Sequence, residues 1–394
     1  MIDAASWAAR LGGETFLAQT LFRSHTIIKG NADAFAGLLS WDDLNALIAS
    51  RRLEPPRLRL SRDGVEVPLH RYTLPVTTRR AVSWRRLEPA AFHECLADGS
   101  SLVLDSVDDM HDPLRQAAEG LERFTGTTVQ VNVYASWTAQ EGFGIHWDDH
   151  DVVVLQLYGA KRWRLYGPTR QAPAWRDTEV SPEPEGDPLA DEVLTAGDML
   201  YLPRGWWHSV SADQGTPSLH LTFGLGTQTG ADFLNWAVDQ LRSNLALRLD
   251  VPRFAPAEEQ AAYVATLRTE LAGLLDDPQI IDRWATSVDT THPGRLRPSL
   301  PYVTDLPPNP AICVRLTCSR AHLSHNGDVV TLSAAGTAWD FAAPAHPILS
   351  ALLPGHPVTL AELAERASLP LTDVATLMSI LVQGQAATVV EVAL

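Results

Sequence analysis

Residues 142–167 read GFGIHWDDHDVVVLQLYGAKRWRLYG. The stretch opens on glycines and a cluster of His, Asp and Trp, passes into the apolar run DVVVLQLY, and resumes after Gly159 as the alternating AKRWRLY. VQVNVYAS (129–136), DMLYLP (198–203) and SLHLTFGLG (218–226) share its character: rich in Val, Leu and aromatic residues and bounded by turn residues. Short strands in series predict a jelly roll or barrel. Only Gly159 and Ala160 separate Tyr158 from Lys161. A two-residue hairpin with glycine at its first centre is therefore expected to join these strands and set their register.

Around this block the pattern is different. Asp112-Pro113 offers an N-cap and an N1 proline before Leu114, Ala118, Leu121 and Phe124, whose spacing is helical, and Gly126 closes the helix. Residues 1–95 mix a helical stretch (Trp41 to Ser50), the β-like run Arg57 to Leu60 and the Glu54-Pro55-Pro56 break, and are expected to form an accessory layer. Gly167 to Ala190 holds five prolines with little periodicity, which predicts a surface insert or lid. Beyond Gly230, Phe233, Ala237 and Leu241 mark one helix, and Tyr263, Leu267, Leu271 and Leu274 a second. They suggest a connecting or dimerising layer. After RPSLPYVTDLPPNP (297–310) a new unit ends with helix, turn, helix and strand signals from Val358 to Val392, the order of a winged helix. The expected organisation is α+β: an accessory part (1–95), a jelly-roll core (96–229), a helical region (230–295) and a winged-helix-like unit (296–394).

Composition sets limits. A chain of 394 residues is long enough for two or three folded units, and its 45% hydrophobic content supports large cores. Its 47 acidic against 31 basic residues give a formal charge of -16, which repels phosphate backbones and favours cationic partners. The last forty residues carry Arg366 against Glu362, Glu365, Asp373 and Glu391, so the winged-helix-like unit is not expected to bind nucleic acid. Cys95, Cys313 and Cys318 form no CxxC pair and read as reduced, buried thiols. No basic leader with an apolar run, and no stretch of roughly 20 apolar residues, is present, so a cytoplasmic protein without a membrane span is expected.

His146 and Asp148 stand two apart at the mouth of an expected strand, where alternation would send both side chains to one face. GDMLYLPRGWWHSV (197–210) brings His208 sixty residues after Asp148. If the strands pair in a roll, this third ligand returns beside the first two. Two imidazoles and one carboxylate suit divalent iron and leave three positions open on one side. 2-Oxoglutarate would take two of them and dioxygen the third. Zinc, which also accepts three protein ligands and a water, is the competing metal.

With these residues the chain resembles the JmjC oxygenases of the cupin type, especially the ribosomal oxygenases. The resemblance runs through VNVYASWTAQEGFGIHWDDHDVVVLQLYGAKRWRLYGP (131–168) and GDMLYLPRGWWHSV, and more weakly over the whole chain. It implies a double-stranded β-helix, iron(II) on His146, Asp148 and His208, and 2-oxoglutarate as co-substrate. It also implies a helical dimerisation region, hence a homodimer, and an acidic winged-helix unit. A basic residue after the HxD pair binds the distal carboxylate in that family, and Lys161 occupies the matching place, with Tyr134 and Asn132 assisting from the preceding strand. A lysine inside a barrel is costly without a partner, and a dicarboxylate supplies one. Lys161 and Trp163 share one strand face and Arg162 and Arg164 the other. Thr222 would join the co-substrate site if Leu221 and Phe223 face away.

The chain departs from the family in its tryptophans. Trp147 fills the middle of the HxD pair and Trp206-Trp207 precede His208. An unusually aromatic substrate mouth is one expectation, wall packing the other. Three functions compete at this stage: hydroxylation of a ribosomal or other basic protein, the same chemistry on a small peptide or secondary metabolite, and a cupin-like binding protein without turnover.

Overall fold

The computed structural model describes residues 2–80, 83–138, 142–176, 180–212, 216–300 and 302–390. They fall into two compact units, Met1–Thr227 and Gln228–Leu394.

The first unit is built on β-strands. Its N-terminal half contributes β1 (Thr26–Ile28), β2 (Leu58–Arg62), β3 (Val65–Glu66), the hairpin β4 (Thr73–Thr77) and β5 (Ser83–Leu87), and β6 (Ser101–Leu104). Then follow β7 (Val129–Ser136), β8 (Asp151–Tyr158), β9 (Ala160–Pro168) and β10 (Ala190–Thr195). β11 (Met199–Leu202), β12 (Trp206–Ala212) and β13 (Ser218–Leu225) complete the set. Eight strands form one antiparallel sheet in the order β1-β11-β8-β13-β7-β6-β2-β3, and β10-β9-β12 form a second. Strands from the N-terminal hundred residues thus lie on both flanks of the large sheet.

Alternation along β8 explains why its sequence is apolar without a break. Val152 and Val154 pack with Trp163, Leu165, Leu194, Leu200 and Leu202 of β9, β10 and β11, between the two sheets. Val153, Leu155 and Leu157 point the other way, into a core shared with Trp7, Leu114, Ala118 and Leu121 of the covering helices. A strand covered on both faces loses the polar half of its pattern. On that helical side Trp7 donates its indole N–H to the Ala117 carbonyl at 2.8 Å and meets Phe223 edge to face at 5.2 Å.

Gly159 does not make the expected hairpin. β8 bonds to β11 and β13, whereas β9 bonds to β10 and β12, so the chain crosses from one sheet to the other at this residue. Its φ of +67° is left-handed, and a Cβ there would lie 2.2 Å from the Pro217 carbonyl oxygen. Glycine is required by the crossing and by this close approach. Register in each sheet comes instead from long-range pairs such as His220 opposite Tyr134 and Thr222 opposite Asn132.

The helix after residue 110 spans Asp112–Thr125 and ends on Gly126 in the left-handed conformation. Its N-cap is His111, not Asp112. Asp112 is the first helical residue, where its carboxylate faces the positive helix end and accepts from Arg115 and Gln116. The Trp41–Ser50 helix starts in a capping box between Ser40 and Asp43.

The second unit begins with helices Gly230–Gln240, Leu245–Arg248, Ala257–Leu275 and Ile280–Thr291. The last was not legible as a helix, because its apolar residues Ile280, Ile281, Trp284 and Val288 are interrupted by Asp, Thr and Ser, poor helix formers. A three-stranded meander (His322–Asn326, Val329–Ala334, Thr337–Ala342) follows, then helices His346–Leu352, Leu360–Ala367 and Leu371–Gln383. A small sheet pairs Cys313–Leu316 with Val358–Thr359 and Ala387–Val390. One apolar core, including Leu349, Leu363, Val374 and Met378, holds this part together. No helix among the described residues is long and apolar enough to cross a membrane.

Candidate metal and co-substrate site

Inside the first unit the two sheets enclose a cavity of about 430 Å³, lined from β7 by Asn132 and Tyr134, from β9 by Lys161 and Trp163, and from β13 by His220 and Thr222. His146, Asp148 and His208 also line it. Their ligand atoms all lie within 4.8 Å of one another, and this is the metal-ligand cluster among the described residues.

The convergence is not produced by strand alternation at residues 146 to 148, since β8 begins only at Asp151. His146 makes an isolated antiparallel bridge with His208 at the head of β12. Asp148 is tied separately: its carbonyl accepts from Gly205 N–H at 2.8 Å. One long-range bridge and one loop contact thus bring the carboxylate oxygen to 3.7 Å from His208 Nε2.

Tautomers follow from the hydrogen bonds. His146 Nδ1 lies 3.0 Å from the Gly144 carbonyl and His208 Nδ1 2.9 Å from the Trp206 carbonyl. A carbonyl only accepts, so each Nδ1 carries a proton, and Nε2 is the ring atom left to meet a metal. Burial, then His146, holds the His208 imidazole down to about 4, against the opposing pull of Asp148. Burial pushes the Asp148 carboxyl up, but His208, His146, His150 and Arg176 more than offset it and leave the group below its ordinary value. Two imidazoles and a carboxylate lining one cavity form a donor set suited to a divalent iron or zinc ion.

Lys161 is 4% exposed, and among the described residues its ammonium has no ion pair or hydrogen bond. Burial lowers its ammonium to about 8. Arg162 and Arg164, on the opposite face of β9, meet Asp191 of β10 outside. Asn132 accepts from the Ser106 N–H at 3.0 Å and from Gln130 Nε2 at 3.1 Å, which orients its side chain. Tyr134 is half-buried, and desolvation, with Asp148 and Asp105 nearby, raises its hydroxyl well above the ordinary value. Thr222 faces the cavity, with Leu221 and Phe223 turned into the helical-side core. The structure therefore brings all seven sequence-predicted residues to one cavity.

The aromatic mouth does not form. Trp147 and Trp207 are 5% and 6% exposed, and none of Trp147, Trp206 and Trp207 lines the cavity. Trp207 donates to Thr169 Oγ1 at 2.8 Å, and Trp206 packs against His25 at 5.0 Å. Indole rings this large are used in the wall, where their apolar area is removed from water.

Several residues escaped the sequence reading. Arg59, from β2, lines the cavity in a bidentate pair with Asp105 at 3.0 and 3.2 Å. Arg176, from the proline-rich insert, lies 3.6 Å from the Asp148 carboxylate. His220 shares the parity of Thr222 in SLHLTFG, a signal that was present, and it stacks on Tyr134 at 5.0 Å with rings 4° from parallel. No sequence signal marks Arg59 or Arg176.

Fold and site together define a class: a double-stranded β-helix with two histidines and one carboxylate at one end of its cavity. Residues 109–233 match the model of the JmjC domain. This part of the chain thus carries a JmjC domain, and in sequence it is similar to ribosomal oxygenases. It is 42% identical over 109 residues to the bifunctional lysine-specific demethylase and histidyl-hydroxylase NO66 of Drosophila persimilis, covering 28% of this chain and 16% of that one. It is 38% identical over 179 residues to ribosomal oxygenase 2 of Rattus norvegicus, covering 41% and 38%. The chain thus spans well under half the length of these relatives. The fold matches YcfD, a ribosomal oxygenase from Escherichia coli, with a TM-score of 0.62 at 18% identity over 96% of this chain and 98% of that one. The same protein in complex with cobalt and 2-oxoglutarate gives 0.61 at 17% identity, with the same coverage.

Proposed function

We propose that the chain is an iron(II)- and 2-oxoglutarate-dependent oxygenase that hydroxylates a side chain of a protein, with ribosomal proteins as first candidates. The observation that carries this reading is one cavity holding both a His-Asp-His cluster with open lone pairs and a buried lysine without a counter-ion.

His146 Nε2, His208 Nε2 and one Asp148 oxygen would hold the metal. With 2-oxoglutarate and dioxygen, bound iron supplies insertion of one oxygen atom into a C–H bond, coupled to release of succinate and carbon dioxide. The chain's share is positioning. Gly144 and Trp206 carbonyls fix the imidazole tautomers, as outer partners of metal ligands generally do. Lys161 neutralises the distal carboxylate of the keto acid, with Tyr134, Asn132 and Thr222 beside it. The packed walls around Val152 and Trp163 keep bulk water from the reacting end.

A protein acceptor is supported by the names of the relatives and by the net charge of -16, which favours a basic partner. We read residues 96–229 as the catalytic core, 1–95 as its accessory part and 230–295 as a homodimer-forming region. Residues 296–394 read as a winged-helix-like unit, supported by its helix, helix and strand order, that binds no nucleic acid. Three free buried cysteines accord with a cytoplasmic setting.

The test is incubation of anaerobically purified chain with iron(II), 2-oxoglutarate, air and purified ribosomal proteins. A mass gain of one oxygen in one protein, matched by succinate, is expected. Succinate release with small peptides only would move the substrate to the peptide class. No succinate release under any iron-loaded condition would leave a binding protein without turnover.

A further inference from the structure

His220 is buried in the same cavity as Lys161 and has no part in the metal cluster. Its ring is fixed on two sides: Tyr134 stacks on it, and Trp163 meets it edge on at 6.0 Å and 72°. Pairing of β13 with β7 sets it directly opposite Tyr134. Its Nδ1 is buried without a hydrogen-bond partner among the described residues. Burial, then the neighbouring Lys161, keeps the imidazole neutral. A neutral imidazole carries one N–H donor, and a buried donor needs an acceptor.

Lys161 and His220 thus present two donor-bearing groups to one cavity, and neither side chain is paired with a protein carboxylate among the described residues. An ammonium beside an imidazole N–H is stabilised by one kind of occupant, an anion with two acceptor oxygens. We propose that His220 is a second binding residue for the distal carboxylate of the dicarboxylate co-substrate, donating a ring N–H to the carboxylate that Lys161 neutralises. This rests on the oxygenase reading and deepens it. The site then selects a keto acid by the charge at its far end, with two groups from two facing sheets.

The test is calorimetric binding to the Zn(II)-loaded chain, which turns nothing over. Two ligands are compared: 2-oxoglutarate, and 2-oxobutyrate, which keeps the keto acid but lacks the distal carboxylate. His220→Phe, which fills the ring's place without a donor, is expected to weaken 2-oxoglutarate about tenfold or more, the loss of one hydrogen bond to a charged group. 2-Oxobutyrate should change by less than about twofold on the same scale, and His220→Gln, with an amide donor, should recover part of the loss. Equal weakening of both ligands, or no weakening, overturns the proposal. Absence of any 2-oxoglutarate binding to the unaltered, Zn(II)-loaded chain overturns the co-substrate reading itself. Should the Phe variant not fold, ¹⁵N-histidine spectra of the unaltered Zn(II) form decide. The His220 ring N–H resonance, assigned through His220→Gln, should move with 2-oxoglutarate and not with 2-oxobutyrate, and a resonance that moves with neither refutes the role.

Discussion

His146 and His208 are joined through their main chains: the His146 N–H meets the His208 carbonyl at 2.9 Å and the His208 N–H meets the His146 carbonyl at 2.7 Å. Two imidazoles 62 residues apart in sequence are thereby held at a ring separation of 4.3 Å. Preorganisation of this kind reduces the ordering that metal binding would otherwise demand.

Because the backbone bridge does not depend on the imidazole, His208→Ala should keep the fold while losing the metal. Cobalt(II) titration followed by its visible absorption should show affinity reduced by more than about 100-fold, larger than the loss of an outer partner, with an unchanged far-ultraviolet spectrum. Retained affinity would refute the ligand assignment.

Arg176 places a cation 3.6 Å from one Asp148 oxygen, and its side chain is 48% exposed. Water and salt screen such a pair, so its effect is small. Arg176→Ala should tighten divalent metal binding by about two- to fivefold at low salt, a gain that fades at high salt. Unchanged affinity at low salt would mean that the guanidinium does not compete with the ion.

Burying the Lys161 ammonium without a counter-ion costs stability. Its ordinary value is 10.5 and its value in the fold about 8, a difference worth about 3 kcal/mol at most. Lys161→Met should therefore stabilise the ligand-free chain at pH 7 while abolishing 2-oxoglutarate binding, a trade of stability for function. Between pH 8 and 10.5 the folded state binds fewer protons than the unfolded one, so stability of the unaltered chain rises with pH and its deficit against Lys161→Met narrows. Urea denaturation at both ends of that range checks the sign, and a variant less stable at pH 7 would contradict it.

Binding of 2-oxoglutarate needs the charged ammonium. With Lys161 at about 8 in the ligand-free fold, affinity should be level below that pH and fall about tenfold per pH unit above it, until it meets the higher value that the bound anion imposes. Tyr134 and His220 face the ammonium from β7 and β13; both are neutral in this window and add no step. Calorimetry on the Zn(II) form from pH 7 to 9.5 measures the profile. A flat profile would remove Lys161 from the carboxylate site.

Much of this was legible in the sequence because it is local. Strand periodicity shows which residues share a face, and so it grouped Lys161 with Trp163 and Asn132 with Tyr134. Residue chemistry singled out His146, Asp148 and His208, which the fold clusters, and the glycine at 126 ended a helix as its conformational freedom allows. Periodicity is silent, however, on which sheet a strand joins. Gly159 looked like a hairpin turn, yet it carries the chain between two sheets, because β8 pairs with β11 and β13 whereas β9 pairs with β10 and β12. The same long-range pairing decided that Trp147 and Trp207 fill the wall, that His220 stands over the cavity beside Lys161, and that Arg59 and Arg176 reach it from strand and insert. Side-chain type and spacing are properties of a segment; burial, counter-ions and neighbours across a cavity exist only once distant segments have been brought together.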